Sequence, residues 1–343
     1  MTVDRFLPAE WHPQSLVQLT WPDDTTDWKD LLHEVLPCYA SLCQEISRRQ
    51  PLLIVANNKA EVMPWLSEAN HANITIVEMP VNDTWARDHG FITVIENRVP
   101  VLLDFKFNGW GLKFAADKDN LINGTLYKKG FFSGEVKYEN FLNMVLEGGS
   151  IESDGEGTLL TTSECLLSPN RNGAWSRDQI ELRLLELFNA KKVLWLDHGF
   201  LQGDDTDSHI DTLARLAPGH RILYVKCDDP NDLHYGALKD MESQLATFTS
   251  AHGQPYRLVP LPMCTPVYDG EERLPATYAN FLFINGAILV PVYGVPEDQQ
   301  ALDIFATEFP DYEVVGINCH PLIKQHGSLH CVTMQFPVGA FKL

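Results

Sequence analysis

Predicted strands that follow predicted helices recur along this chain, and this recurrence constrains the fold more than any other sequence feature. The clear strands begin near residues 74, 193, 258 and 314, and a weaker candidate near residue 136 fills the gap. The last three are spaced by roughly sixty residues, a period that indicates internal repeats. The alternation of helices and strands predicts an α/β fold class.

The helix that begins after Ser176 has the clearest pattern. Gln179 completes a capping box with Ser176, and apolar side chains recur on one face as far as Phe188. Each of the other predicted helices also precedes a strand-like apolar run. They cover residues 27–48, 59–69 and 231–250 and a segment that opens at Pro296, a favoured first-turn residue.

A polar stretch follows each clear strand and leads into another β-like run. Reactive side chains recur at this place, in residues 85–90, 205–211, 277–280 and 328–331. The recurrence predicts modules arranged about an axis, each of which brings its polar turn to one central site. Chance spacing among ordinary α/β elements is the alternative. Because no Pro-, Gly- or Ser-rich linker divides the chain, we expect one domain that spans residues 1–343.

The charge balance excludes several classes of partner. The 343 residues include 26 Lys and Arg against 46 Asp and Glu, which gives a formal net charge of −20. Binding to nucleic acid and adhesion to anionic lipid both need clustered cations, so neither is expected. A cationic small molecule would instead be attracted to such a surface. The composition leaves the oligomeric state open, a homo-oligomer included.

The N-terminal segment and the cysteines indicate a reducing compartment. The chain does not open with a basic segment and an apolar stretch, and no apolar run approaches the ~20 residues of a membrane-spanning helix. The 7 cysteines are widely spaced and form no C-x-x-C pair. We therefore expect reduced thiols, no structural zinc and a cytoplasmic protein.

Cys331 lies in the segment 327–333 near the C-terminus. A thiolate is a strong nucleophile, but a catalytic cysteine needs a nearby cation, histidine or helix N-terminus to favour that form. A lone cysteine in a C-terminal strand is more often a buried core residue, so its surroundings decide between the two roles. The preceding Gly327-Ser328 turn lets the backbone approach a ligand closely.

The segment 203–211 carries the most unusual cluster of polar residues. Its acidic residues first suggest a metal site, yet the EF-hand and H-E-x-x-H patterns are both absent. In a strand, His209 and Asp211 would point to the same face, where the histidine can transfer protons and the aspartate can pair with a charge. A turn or helix cap is an equally common role for Asp204 and Asp205.

Two further acidic residues, Asp88 and Glu147, complete the candidate set. By themselves they could belong to a surface ion pair and to a glycine turn, respectively. A planar guanidinium presents five N–H donors, which carboxylates satisfy in a bidentate manner. Acids beside a cysteine and a histidine, here with His209, Asp211 and Cys331, therefore fit chemistry on such a group.

At these residues the sequence resembles the agmatine deiminase family, which is grouped with the Porphyromonas-type peptidyl-arginine deiminases among guanidine-modifying enzymes. Similar motifs follow in order along nearly the whole chain. They occupy residues 8–11, 20–22, 82–88, 107–111, 147–152, 169–172, 203–211, 278–281 and 327–333. The resemblance implies a five-module pseudo-symmetric α/β-propeller, the pentein fold, which agrees with the predicted repeat.

The resemblance also implies a role for each site residue. It places the nucleophile at Cys331 and the general acid/base at His209, with Asp88 and Asp211 as the carboxylates that bind the guanidinium. Glu147 matches the glutamate that pairs with the catalytic histidine. The reaction would pass through a covalent thiouronium intermediate without a metal or organic cofactor. A non-catalytic binding protein of this fold would not need Cys331 and His209.

Agmatine is the expected substrate, hydrolysed to N-carbamoylputrescine and ammonia on a route to putrescine. Free arginine and peptidyl arginine share the guanidinium end and remain alternatives, and a metal-dependent hydrolase is a more distant one. Trp85 and Trp110 are candidates to wall the alkyl channel, although core packing is the commoner role of tryptophan. Asp205 is a further candidate to bind substrate. The turn at residues 327–330 departs from the Gly-Gly-Asn-Ile-His of characterised agmatine deiminases.

Overall fold

The computed structural model describes residues 4–341. Its strands are short, and most have a buried face. In chain order they are β1 (Arg5–Phe6), β2 (Gln14–Thr20), β3 (Leu52–Ala56), β4 (Ile74–Glu78), β5 (Ile92–Glu96), β6 (Val99–Lys106), β7 (Lys137–Val145), β8 (Ile151–Ser153), β9 (Thr158–Thr162), β10 (Lys192–Leu196), β11 (Ala214–Ala217), β12 (Arg221–Lys226), β13 (Arg257–Pro262), β14 (Tyr268–Asp269), β15 (Glu272–Arg273), β16 (Leu282–Ile284), β17 (Ala287–Val292), β18 (Glu313–Asn318) and β19 (Thr333–Pro337).

Helices of 11 to 16 residues are interspersed with shorter helical segments of four to seven residues. In chain order the α-helical segments are α1 (Leu32–Ser47), α2 (Lys59–Val62), α3 (Ala86–His89), α4 (Gly109–Leu112), α5 (Ile122–Lys128), α6 (Ser163–Leu166), α7 (Pro169–Asn172), α8 (Arg177–Phe188), α9 (Ile210–Leu213), α10 (Tyr235–Leu245), α11 (Glu297–Glu308) and α12 (His320–Ile323). Short 3₁₀ turns occupy Lys29–Leu31, Met63–Trp65, His71–Asn73, Asp119–Leu121 and Gly148–Ser150.

Five sheets repeat one order of strands. In each, two antiparallel strands are followed by a helical connection and by a third strand that runs parallel to the second. The five are β19-β2-β3, β5-β6-β7, β8-β9-β10, β11-β12-β13 and β16-β17-β18. Because β19 pairs with β2, strands near both ends of the chain complete one module. The predicted repeat of α/β modules is therefore confirmed.

The third strands of the modules confirm most of the predicted period. Strands β10, β13 and β18 begin at residues 192, 257 and 313, and β7 occupies the place of the weaker candidate near residue 136. The strand at Ile74 was predicted to belong to this series, and that assignment is wrong. The equivalent strand is β3, which follows α1, whereas β4 is an additional edge strand beside it.

Local sequence explains where the helices begin and end. The capping box is present at Ser176, whose side chain accepts from the Gln179 N–H, and α8 ends where Asn189 adopts a φ of 48°. Helices α1, α10 and α11 confirm three of the other predictions, with shorter bounds for α1 and α10. The helix predicted over residues 59–69 is broken after Val62, because Pro64 has no N–H to donate.

The polar stretches are turns, although the sequence predicted β-like runs. Residues 86–89 and 210–213 form the single helical turns α3 and α9, and residues 277–280 and 328–331 form no strand. Side chains bond the local backbone here: Thr206 Oγ1 accepts from the His209 N–H, and Thr212 Oγ1 donates to the His209 carbonyl. Such local bonds compete with strand pairing. Each turn nevertheless precedes the first strand of a module, as Gly148–Ser150 also does before β8.

The core has three apolar clusters, the largest of which includes Trp85, Trp110 and Cys331. In the part of the chain from residue 4 to residue 341, no helix has both the length and the apolar character needed to cross a bilayer.

Candidate active site

The turns that precede the modules meet one another. The 3₁₀ turn Gly148–Ser150 contacts both α3 and α9, and α3 also contacts β19. This arrangement brings the predicted residues Asp88, Glu147, His209, Asp211 and Cys331 into one buried region. The structure thus gathers side chains that are far apart in sequence.

Two glycines permit this close approach. A Cβ on Gly149 would lie 2.6 Å from His209 Nδ1 and 2.9 Å from Asp88 Oδ1. A Cβ on Gly148 would lie 2.2 Å from the Arg87 carbonyl oxygen. Any larger residue at either position would therefore push these turns apart.

The thiol of Cys331 is buried and faces acceptors. Its Sγ lies 3.4 Å from Asn280 Oδ1 and 3.8 Å from Asp211 Oδ2. Burial, reinforced by the negative charges of Asp211 and Asp88, raises the pKa of the thiol well above its ordinary value. With no cation bound, Cys331 is therefore a protonated thiol.

Asp88 is held by two N–H donors. The Gly149 backbone donates to Oδ1 and the Trp110 indole donates to Oδ2, each at 2.9 Å. Trp110 has a φ of 54°, in the left-handed region that side chains seldom adopt, and this turn aims the indole at the carboxylate. Burial, together with the charges of Asp211 and Glu147, raises the pKa of Asp88 well above its usual value.

Asp211 has one oxygen engaged and one free of protein partners. Its Oδ2 lies 2.8 Å from Nδ1 of His330, whereas Oδ1 is buried without a hydrogen-bond partner. Burial opposes the charge of Asp211, but the hydrogen bond and the charge of His330 keep its pKa below the usual value. Asp211 is therefore a carboxylate with one oxygen available to a ligand.

His209 is buried, and neither of its ring nitrogens has a hydrogen-bond partner among the described residues. Its Nδ1 lies 3.7 Å from Asp88 Oδ1. Burial lowers the pKa of His209 to about 3, although the nearby charge of Asp211 opposes the shift. The imidazole is therefore neutral at pH 7 and free to accept a proton.

His209 and Asp211 do not lie on a strand, as the sequence had predicted. His209 caps α9 and Asp211 lies in its only turn. Both side chains still reach the same region beside Gly149, because His209 is the N-cap residue, with a non-helical ψ of 138°, and only Asp211 lies within the helical turn. The predicted co-location is correct and its stated geometric reason is wrong.

Glu147 is bound by Arg171 rather than by the histidine. Arg171 Nε lies 2.9 and 3.1 Å from the two Glu147 oxygens, and both side chains are fully buried. A Glu147 oxygen, a His209 ring nitrogen and the Cys165 sulfur lie within 4.8 Å of one another, without a hydrogen bond between Glu147 and His209. Burial raises the pKa of Glu147, and Arg171 opposes that shift.

The acidic residues of segment 203–211 do not come together as a set of metal ligands. Asp207 is bound by Lys113 at 2.7 Å and by Arg171 at 2.5 Å. Asp204 serves the turn, because its side chain accepts from Thr206 and from the Ser208 N–H. Among residues 4–341, the one group of three or more candidate ligands is instead Glu147, Cys165 and His209.

A cleft of about 390 Å³, open mouth included, leads from the surface to Cys331. Its deep end carries the buried Asp88, and its outer part carries the half-buried Asp83 and Asp205. The other lining residues are Asp27, Trp85, Trp110, Phe114, Thr206, Gln325, His326 and Gly327. The structure thus places the predicted Trp85, Trp110 and Asp205 in the same cleft as Cys331, the nucleophile candidate.

The two tryptophans combine packing with polar contacts. Their rings meet edge to face with centroids 6.2 Å apart, and Trp85 also packs against Trp28. Trp85 Nε1 donates to Asp83 at 2.9 Å, as Trp110 Nε1 does to Asp88. A Cβ on Gly327 would lie 2.1 Å from the Trp85 ring, so that position needs glycine.

Sequence reasoning missed three residues of the site. Asn280 accepts from the Cys331 backbone and thiol, His330 supports Asp211, and Arg171 binds Glu147. The available signal was position: Asn280 ends one of the recurrent polar stretches and His330 lies in another. Nothing in the spacing could have paired Arg171 with Glu147.

Comparison with known proteins identifies the family. The Porphyromonas-type peptidyl-arginine deiminase family matches residues 6–337. A Porphyromonas gingivalis protein provisionally described as an arginine deiminase is 52% identical, with a TM-score of 0.95 over 99% of this chain and all of that one. The agmatine deiminase of C. jejuni, solved with substrate bound, is 36% identical, with a TM-score of 0.92 over 99% of this chain and 98% of that one.

A curated agmatine deiminase from Stutzerimonas stutzeri is 32% identical over 97% of this chain and 95% of its own length. The fold is the pentein fold, and the molecule is a hydrolase that acts on the C–N bonds of guanidino groups. The substrate class is therefore a guanidinium compound. The chain belongs to the Porphyromonas-type peptidyl-arginine deiminase family.

Proposed function

We propose that this chain is an agmatine deiminase, which hydrolyses agmatine to N-carbamoylputrescine and ammonia. A set of unpartnered buried atoms beside a thiol carries the proposal. Asp211 Oδ1 and both ring nitrogens of His209 have no hydrogen-bond partner among the described residues, and Asp211 contacts Cys331. Buried polar groups are rarely left unpaired, so these atoms suit a ligand rich in N–H donors. A guanidinium is such a ligand.

Charge explains how the substrate activates the thiol. The carboxylates of Asp88 and Asp211 raise the pKa of Cys331 in the empty site. A guanidinium bound between them offsets both negative charges, so the thiolate becomes accessible when the substrate is in place. The neutral His209 is the group that accepts the thiol proton.

The proposed reaction has two chemical steps, the formation of a thiouronium intermediate and its hydrolysis. The thiolate of Cys331 adds to the guanidinium carbon, the bond to a terminal nitrogen breaks, and His209 gives that nitrogen the proton with which it leaves as ammonia. His209 next takes a proton from a water molecule that attacks the thiouronium carbon. The C–S bond breaks, which releases the ureido product and restores the thiol.

The outer cleft supports agmatine over arginine. Agmatine carries an ammonium at its far end, and Asp83, Asp205 and the exposed Asp27 line that part of the cleft. Burial raises the pKa of Asp83 to about 6, and Asp27 contributes, so Asp83 is mainly ionised at neutral pH. No Lys or Arg lines the cleft within the described part of the chain. The carboxylate of arginine would face acids, and such mismatches discriminate strongly.

Free arginine is the second candidate. The 52% identity to the protein provisionally described as an arginine deiminase favours it. His326, which lines the cleft and contacts the Gly203 carbonyl at 2.8 Å, is the lining side chain able to carry a positive charge. Arg87 does not serve, because its side chain lies 3.7 Å from Glu10, away from the cleft.

The test compares kcat/KM for agmatine, arginine, N-acetylarginine amide and n-butylguanidine, which lacks the ammonium. We expect agmatine to exceed each competitor by about 100-fold or more. Asp205→Asn should lower kcat/KM for agmatine and leave n-butylguanidine unchanged, with Asp228→Asn as an exposed control. A ratio of agmatine to arginine at or below one would overturn the substrate assignment. Inactivation by exhaustive EDTA treatment would instead favour the metal-dependent alternative.

A further inference from the structure

Arg171 links the buried site to the surface. Its Nε contacts Glu147, its Nη1 lies 2.5 Å from Asp207 Oδ2, and its Nη2 donates to the Thr206 carbonyl at 2.8 Å. Asp207 is in turn bound by the partly exposed Lys113. The guanidinium of Arg171 is thus fixed in a single orientation by three partners.

The position of Glu147 explains how the charge of Arg171 can affect His209. Glu147 is fully buried and lies within 4.8 Å of His209, measured between one oxygen and one ring nitrogen. A buried carboxylate without a cation takes up a proton or draws one onto a neighbouring imidazole. Arg171 supplies that cation, which favours the charged form of Glu147 and the neutral form of His209.

We propose that Arg171 is a positioning residue for the deimination reaction, which holds the Glu147 carboxylate beside His209 and thereby controls when the imidazole carries a proton. The inference rests on the proposed acid/base role of His209. Arg171 does not line the cleft, so its effect passes through Glu147 and not through direct contact with substrate.

Several charged or titratable groups face His209, and each belongs to a different segment. Asp88 comes from α3, Glu147 from the residue before the 3₁₀ turn, Cys165 from α6, Arg171 from α7 and Asp211 from α9. Asp207 and Lys113 act from the loops near the cleft mouth. Of these groups, Arg171 and Lys113 are cations, and Arg171 alone of the two is fully buried.

The positive charge of Arg171 determines in which direction the pKa of His209 changes when Arg171 is removed. Arg171 is one of the groups that lower the pKa of His209, after burial itself. Its removal with Glu147 still ionised should raise that pKa. The acid limb of the kcat profile, which reports the substrate complex, should then move to higher pH by about one unit. We expect kcat to fall about 100-fold, with KM changed less than threefold because Asp88 and Asp211 are untouched.

The experiment is a double-mutant cycle on Arg171→Met and Glu147→Gln, with pH profiles of kcat for each variant. If Arg171 acts through Glu147, the double variant loses no more activity than Glu147→Gln alone, and neither the double variant nor Glu147→Gln shows the alkaline shift. Arg177→Met, which breaks the exposed pair with Asp197, is the matched control. Multiplicative losses, or a KM effect larger than the kcat effect, would overturn the inference.

Two further variants keep the test decisive. Since Arg171→Met could fail to fold, Asp207→Asn, at a partly exposed position, removes one support of Arg171 and should lower kcat to a smaller extent, without an alkaline shift, because the charge of Asp207 itself raises the pKa of His209. His209→Asn separates the two proposals. If it keeps kcat within tenfold of wild type, the acid/base assignment fails. If it is inactive while Arg171→Met and Asp207→Asn have wild-type kcat and profile, the role of Arg171 alone fails.

Discussion

The Nδ1 of His330 lies 2.8 Å from Oδ2 of Asp211, so the residue that precedes Cys331 supports the carboxylate that contacts the Cys331 sulfur. On its other side, Nε2 of His330 lies 2.6 Å from Glu10, which also pairs with Arg215 at 2.8 Å. Each contact requires a proton between the ring and a carboxylate; burial lowers the pKa of His330, and the charge of Glu10 and the hydrogen bond to Asp211 oppose that shift. One turn of the chain thus carries both the proposed nucleophile, Cys331, and the residue that supports Asp211, a proposed partner of the guanidinium.

Replacement of His330 by Gln should therefore impair both binding and stability. Asp211 and Glu10 would lose a charge-assisted partner inside the protein, which costs about 3 kcal/mol of unfolding free energy. We expect kcat/KM to fall about 100-fold, mainly through KM, because Asp211 would be less well oriented. Urea denaturation and steady-state kinetics check the two effects. His252→Gln, at an exposed position, should change neither, and a His330→Gln variant with wild-type KM would contradict the argument.

Replacement of Cys331 by Ala should abolish turnover and preserve the fold. The thiol makes only weak hydrogen bonds, to Asn280 and Asp211, so little stability is lost. We expect a loss of at least about 1,000-fold in kcat, with substrate binding retained by the carboxylates. Mass spectrometry of a slow variant should locate the covalent adduct on Cys331. An adduct on Cys165, the other buried thiol near His209, would refute the assignment.

The module repeat could be predicted from sequence because each unit contains a helix followed by a short apolar strand. The spacing of β10, β13 and β18 was visible for that reason. The third strand of the first module could not be identified from sequence, since both α1 and the short segment around α2 precede strand-like runs. Which of these two strands lies inside the sheet depends on strand pairing. The closing pair β19–β2 is also a tertiary contact between segments near opposite ends of the chain, which periodicity does not reveal.

The candidate site was predicted in its members but not in its contacts. Cys331, His209, Asp88 and Asp211 meet in the structure, as the recurrent polar turns and the family resemblance indicated. Sequence could not show that Glu147 is engaged by Arg171, because the pair is made by a side chain reaching from α7. Their catalytic roles stay predictions that the variants above address.

The two cleft tryptophans should differ when each is replaced by Phe. Both rings pack against each other, so the apolar losses are similar, but Trp110 donates to Asp88 and Trp85 donates to Asp83. A hydrogen bond to a charged group contributes about 1.5–3 kcal/mol, so Trp110→Phe should lower kcat/KM by at least about tenfold for agmatine and n-butylguanidine alike. Trp85→Phe should affect agmatine more than n-butylguanidine. Equal effects of Trp85→Phe on both substrates would show that Asp83 does not bind the ammonium.

The low pKa of His209 predicts an unusual pH dependence. Burial holds that pKa at about 3, and burial with two nearby carboxylates raises the pKa of Cys331. The free enzyme therefore keeps a neutral imidazole and a neutral thiol from about pH 5 to pH 8. Because kcat/KM reports the ionisations of free enzyme and free substrate, its profile for n-butylguanidine, which has no ammonium for Asp83 to bind, should lack an acid limb near pH 6.5. An acid limb near pH 6.5 with this substrate would contradict the assigned environment of His209.

The same ionisation affects folding, and its sign is fixed by the two pKa values. The unfolded chain binds the His209 proton near pH 6.5 and the folded chain only near pH 3. The neutral, buried histidine thus contributes its full stability above pH 6.5, and this contribution is lost as the pH falls from 6.5 toward 3. The difference in unfolding free energy between wild type and His209→Asn should decrease on acidification by up to about 1.4 kcal/mol per pH unit. Urea denaturation at pH 7, 6 and 5 measures this difference, and a value independent of pH would show that His209 titrates normally in the folded protein.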